Sequence, residues 1–143
     1  MTIRNRTGLF LAIALVCGCG SSEPQPENIS GTVTFDGQPL VYGNLELIPD
    51  ADRQMTGPAG SVEVIDGKFD TKLGGRGVFL GPYDVRVTAW SERPPAGSND
   101  ETVVSQAAPP LFVAYSIKLD IQAENNTIEV PAKAKGFGIS KGR

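Results

Sequence analysis

Two cysteines and no histidine bound the chemistry open to this chain of 143 residues. Cys17 and Cys19 stand two apart near the N-terminus, and no cysteine follows them. Any domain beyond them must therefore be held by its apolar core and not by a disulfide framework. The missing histidine removes the commonest general base and the commonest neutral metal ligand. Serines have no imidazole to activate them, and Ser-x-x-Lys does not occur. The oxygen chemistry that remains is thin. Asp50 and Asp52, with Glu46 nearby, are candidate calcium ligands, but they lack EF-hand spacing. Two carboxylates in a polar loop are more simply read as solvated, so no metal and no cofactor is expected. Gly74-Gly75-Arg76-Gly77 lacks the Gly-Lys-Ser/Thr ending of a phosphate loop and the helix that would hold the anion. It reads as a turn. The sequence thus argues against an enzyme.

The cysteines lie where another chemistry applies. Arg4 and Arg6 form a positive start, and Gly8–Val16 is an apolar run of nine residues, too short to span a bilayer. Val16-Cys17-Gly18-Cys19 then resembles a lipobox, in which a small residue precedes a cysteine whose sulfur takes a diacylglycerol as a thioether. Cys17 would have the branched Val16 before it, whereas Cys19 has Gly18, so Cys19 is the expected lipidation site. An ordinary signal peptide with incidental cysteines is the competing reading. A lipoprotein carries at least two acyl chains, enough for stable anchoring. Position 20 is Gly and not Asp, so the usual inner-membrane retention signal is absent. The implied location is the cell envelope, lipid-anchored at an outer-membrane, periplasmic or extracellular face. Residues 1–18 would be the leader and residues 19–27 a proline-bearing tether.

The elements that must carry any further function follow from the rest of the chain. Gly and Pro number 17 and 11, a usage suited to short strands and many turns. From Asn28 the dominant period is two. Ile29, Gly31, Val33 and Phe35 share one face, and Asp36-Gly37 makes a tight turn. Gly43–Pro49 reads as a second strand and Asp50–Ala59 as a loop. Ser61–Ile65 and Lys68–Leu73 form a hairpin about Asp66-Gly67, with Phe69, Thr71 and Leu73 on its buried face. Leu73–Leu80 is expected to cross between sheets. Tyr83, Val85, Val87 and Ala89 form the inward face of the longest strand. Ser91–Pro110 reads as a loop, with Thr102–Gln106 an edge strand inside it. Ile117, Leu119 and Ile121 alternate with Lys118, Asp120 and Gln122, and Asn125-Asn126 turns into a last strand, Thr127–Pro131. No amphipathic helix of useful length appears. About seven short strands with regular turns predict an all-β, antiparallel β-sandwich over residues 28–131. Residues 132–143 would then be a basic flexible tail.

Three segments carry a family resemblance. Gly31-Thr32-Val33-Thr34-Phe35-Asp36-Gly37-Gln38-Pro39-Leu40 resembles the opening of carboxypeptidase regulatory-like domains. Ile65-Asp66-Gly67-Lys68-Phe69 is similar to their Asp-Gly-x-Phe hairpin, and Gly81-Pro82-Tyr83-Asp84-Val85-Arg86-Val87 to their Gly-x-Tyr-x-Val strand. The three occur in the family's order over Ile29–Trp90. Ser116–Pro131 resembles the last strand pair of small bacterial lipoproteins of this type. Their Pro-x-Lys-Tyr segment is met here only at Tyr115. The resemblance implies a transthyretin-like, Ig-like sandwich that binds, spaces or stabilises without an active site.

Two surface features bear on partners. Trp90 falls on the outward phase of its strand, where an exposed indole stacks on a sugar ring. The plainer reading is that it covers the sandwich edge or packs beneath the 91–110 loop. Lys133, Lys135, Lys141 and Arg143 make the C-terminus basic, which suits anionic lipid, wall polymer or an acidic partner, or simply a disordered end. Without Arg4 and Arg6 the chain keeps 11 basic against 16 acidic side chains, a net of −5. Nucleic acid is therefore not an expected partner. The expected role is a non-catalytic envelope module, structural or protein-binding, with cell-wall polysaccharide as the alternative ligand.

Overall fold

Two Asp-Gly pairs set the frame. In the computed structural model, which describes residues 24–93 and 108–140, Asp36-Gly37 and Asp66-Gly67 all take positive φ (50°, 76°, 49° and 72°). That is the backbone of the two-residue hairpin turn, and glycine at its second position accepts it without steric cost. Around these turns run β1 (Ser30–Phe35), β2 (Gln38–Pro39), β3 (Tyr42–Pro49), β4 (Gly60–Ile65) and β5 (Lys68–Asp70). A short helix α1 (Thr71–Gly74) precedes β6 (Gly81–Trp90), β7 (Pro110–Ile121) and β8 (Asn126–Val130). Cys19, Thr102–Gln106, Lys141 and Arg143 lie outside the described residues.

The strands form one curled sheet in the order β2-β1-β5-β4-β3-β6-β7, with β8 on the remaining edge of β1. All pairings are antiparallel except β1 with β8, which run parallel from Gly31↔Asn126 to Phe35↔Val130. Curling folds the inward faces together, giving an all-β, sandwich-like fold. Val33, Phe69 and Ile128 face Leu45, Leu47, Val85 and Phe112 in one continuous core. Phe35 and Phe112, from strands far apart in the sheet order, meet with ring centroids 5.2 Å apart. Gly31 is required where β8 joins, because a Cβ there would collide with the Asn126 carbonyl and the Phe69 ring.

Three segments differ from the sequence expectation. The hairpin strand stops at Asp70, whose side chain caps α1 by accepting from the Lys72 amide at 2.8 Å. The Thr71 hydroxyl oxygen accepts from the Ile29 amide at 2.9 Å, and this bond turns the chain away from the ladder. Thr71 is buried as expected, but Leu73 is 88% exposed, not on a buried face. Second, β7 starts at Pro110 and contains a bulge. Val87 pairs with Tyr115 and Ala89 with Phe112, so Val113 and Ala114 together oppose Thr88, and Ala114 takes φ 52°. The bulge puts Phe112 and Tyr115 on the same side and breaks the alternation by which a strand is recognised. Third, the chain beyond residue 131 does not trail as a flexible tail over its described part. Ala134 is fully buried, the Gly136 amide donates to the Leu111 carbonyl (2.7 Å), and the Val113 amide donates to Phe137 (2.9 Å). Phe137 packs edge-on against Tyr115 at 5.3 Å.

The registers give the molecule two ends. Ser30, Pro49, Gly60, Asp70, Gly81, Ile121 and Asn126 lie at one, where the stem Pro24–Asn28 enters. Glu27 and Val78 fix that stem by reciprocal backbone bonds of 2.8 and 2.9 Å. Phe35, Tyr42, Ile65, Trp90, Pro110 and Val130 lie at the other. No helix among the described residues is long and apolar enough to cross a membrane.

Candidate functional site

On the outward face, alternate residues of β3, β4, β6 and β7 line up across the strands. Tyr42 stands between Ile65 of β4 and Trp90 of β6, and Trp90 is opposite Pro110 of β7. Both aromatic rings are half-buried, with centroids 5.7 Å apart and planes tilted by 48°. The Tyr42 hydroxyl donates to Glu63 Oε1 at 2.5 Å. Burial, then the bond to Glu63 and its charge, push the Tyr42 hydroxyl up to about 12, with Arg93 opposing. It therefore stays a protonated donor throughout the physiological range.

Beside this pair lies an open cavity of about 880 Å³ whose lining includes Thr32, Glu63, Ile65, Lys68, Asp70 and Arg93. Leu73 and Asn125 close it toward the stem end. Two carboxylates and two cations share its wall, so its charges balance. What the arrangement offers is stacking area next to hydrogen-bond donors and acceptors, the composition of a binding surface. Trp90 is thus outward, as its phase predicts, and packs on Tyr42. Tyr42 and Glu63 escaped the sequence reading because only strand register brings them together, and Arg93, just past the end of β6, gave no signal of its own.

The other candidates resolve differently. Asp50 is 4% exposed, and its carboxylate accepts from Lys118 Nζ at 3.0 Å, with Asp52 3.7 Å from the same nitrogen. The Asp50 amide donates to Pro82, and its carbonyl accepts from Arg53 and Met55. Although enclosed, Asp50 lies under a single turn at the rim, and Lys118 outweighs desolvation in holding its carboxyl below the usual range. A lysine thus occupies the place where a cation would be sought. Glu46 instead faces Arg86 across the β3–β6 pair. Arg53 and Asp120 add a 2.8 Å ion pair. Among the described residues no group of His, Cys, Asp and Glu is suited to hold a metal ion. Gly74 ends the four-residue α1, and Gly75, Arg76 and Gly77 lead on toward β6, so no helix N-terminus stands behind them. Gly138-Ile139-Ser140-Lys141-Gly142 has the Gly-x-Ser-x-Gly spacing, which the sequence reading passed over. Its described part follows a 3-10 turn, not the strand-to-helix turn such a nucleophile needs, and the chain has no histidine.

Comparison with known proteins finds no matching family model, no matching curated protein and no matching solved structure. The reading of function therefore rests on residues and geometry.

Proposed function

We propose that this chain is a bacterial envelope lipoprotein, anchored through acylated Cys19, whose β-sandwich is a non-catalytic binding module that presents its far end to a partner. The observation that carries this reading is the placement of the stem. Pro24–Asn28 enters at one end of the sheet and Tyr42 and Trp90 stand at the other. Five residues from Cys19 to Pro24 reach at most about 18 Å. Trp90 lies nine residues along β6 from the stem end, or roughly 30 Å further out. A partner would be met well clear of the lipid surface.

The family reading, a carboxypeptidase regulatory-like domain of transthyretin-like fold, draws support from where its three motifs fall. They occupy β1 with its turn into β2, the β4–β5 hairpin, and β6. Of the two partner classes, protein and cell-wall polysaccharide, the aromatic pair beside a polar cavity favours the second.

Labelling with radioactive palmitate, with intact mass, tests the anchor. Wild type is expected to carry the label and Cys19→Ser to lose it. Label retained by Cys19→Ser sets the site aside in favour of Cys17, and no label on wild type overturns the lipoprotein reading.

A further inference from the structure

We infer that the Tyr42–Trp90 pair and the adjoining cavity form a binding site for an uncharged oligosaccharide. This rests on the binding-module reading and names its ligand class. The first argument is shape and surface. A pyranose ring offers aliphatic C–H groups on its faces and hydroxyls around its rim. It therefore needs a flat apolar platform bordered by polar groups. Tyr42 and Trp90 supply two such faces, tilted by 48° to one another, and both residues are partly exposed on the outward side of the sheet. Aromatic side chains combine large contact area with few rotatable bonds, so ordering them costs little.

The second argument is the fixed polar border. Glu63 already holds the Tyr42 hydroxyl, which locks the ring. A carboxylate has two oxygens and about four acceptor positions, so Glu63 keeps capacity for a sugar hydroxyl. Arg93 and Lys68 add donors, and Asp70 a further acceptor, on the same wall. Charge-assisted hydrogen bonds to hydroxyls are the strong ones.

The third argument is electrostatic and decides the ligand class. Glu63 and Asp70 oppose Lys68 and Arg93, so the wall has no net charge. A polyanion would meet two carboxylates and a cationic ligand two cations. A neutral polyhydroxyl ligand meets donors and acceptors in equal number. The aromatic pair stands at the end opposite the stem, and the cavity runs from Glu63 and Arg93 beside it toward Asp70 at the stem end.

Trp90 is the chain's single tryptophan, so its emission reports the platform directly. The mature acylated protein, in a polyoxyethylene detergent free of sugar headgroups, would be titrated with cellohexaose, with the N-acetylglucosamine hexamer, and with heparin as the polyanion. Either neutral hexamer is expected to give a saturable change in emission, and heparin none. By calorimetry Tyr42→Ala and Trp90→Ala should each bind about tenfold more weakly, a loss of ~1.4 kcal/mol. Trp90→Phe should stay close to wild type. Matching thermal unfolding midpoints would show that the alanine variants are folded. No saturable response to either hexamer, heparin binding in their place, or alanine variants that bind like wild type would each overturn the inference. The Cys19→Ser chain, purified in the same detergent, separates this from the anchor, because it should bind the hexamer without any acylated cysteine.

Discussion

Asn126 allows a quantitative test of how the sheet is closed. Its residue is 5% exposed, and its side chain makes three hydrogen bonds. Nδ2 donates to the Ser30 carbonyl (2.9 Å) and the Gln122 carbonyl (2.7 Å), and Oδ1 accepts from the Gln122 amide (2.9 Å). These bonds hold the β7–β8 turn against the start of β1. Asn126→Ala removes all three at a net cost of about 1 kcal/mol each, or about 3 kcal/mol. For a domain of this size that lowers the melting midpoint by about 12 °C. Asn126→Asp is more informative. An ionised carboxylate keeps the acceptor role but sets negative oxygens against two carbonyls. A protonated carboxyl recovers one donation. Folding therefore raises the pKa of the introduced carboxyl above its unfolded value near 3.9. The proton's contribution is fully present below that value and lost as pH rises through the folded pKa. The Asn126→Asp deficit relative to wild type should thus be smallest near pH 4 and grow toward pH 7, while the alanine deficit stays flat. Urea unfolding followed by Trp90 emission at pH 4, 5, 6 and 7 measures both. An alanine deficit below about 1 kcal/mol, or an Asn126→Asp deficit independent of pH, refutes the three-bond account.

Three further outcomes are expected. Tyr83 is fully buried, its hydroxyl meets no hydrogen-bond partner among the described residues, and burial raises its pKa, with the Phe79 backbone opposing. Tyr83→Phe should therefore stabilise the fold by about 1 kcal/mol in urea, and a loss of that size would show that the hydroxyl is satisfied. Asp50 is held below its ordinary range chiefly by Lys118, so its contribution to stability is present above its unfolded pKa and fades as acid protonates it. Lys118→Met should accordingly cost most at pH 7 and progressively less below pH 4; an equal cost at pH 7 and pH 3 would contradict the pairing. Gly31→Ala should destabilise more than an alanine at an ordinary strand position, because β8 must back away; unchanged thermal melting would show that the parallel pair is not formed as described.

The legibility of this fold in its sequence divides along physical lines. Asp36-Gly37 and Asp66-Gly67 announce their turns, since few dipeptides accept two consecutive positive φ values. The alternation of Tyr83, Val85, Val87 and Ala89 against Asp84, Arg86 and Thr88 marks β6, because one of its faces is fully buried. Leu73 misled because apolarity signals burial only while the strand continues, and the Asp70 cap and Thr71 bond end it three residues earlier, at Asp70. The start of β7 was hidden by its bulge. Docking of Ala134 and Phe137 was hidden because single apolar residues among lysines and glycines have no period. For the candidate site, Trp90 was visible through strand phase, whereas Tyr42 and Glu63 meet it only through cross-strand register. That register depends on contacts distant in sequence.

The parallel pairing of β1 with β8 has a mechanical consequence. The stem leads into β1 at one end of the molecule, and the chain leaves β8 at the other. Tension applied between these points acts along both strands in opposite senses. The bonds between them are then loaded in shear, and many must break together before the strands slide. Tension between the stem and Ile121, both at the same end, would peel bonds one after another. Single-molecule extension from residues 24 and 131 should show a higher rupture force than extension from residues 24 and 121, and equal forces would deny the clamp. A fold whose first and last strands run parallel side by side is therefore built to bear pull along its strongest axis.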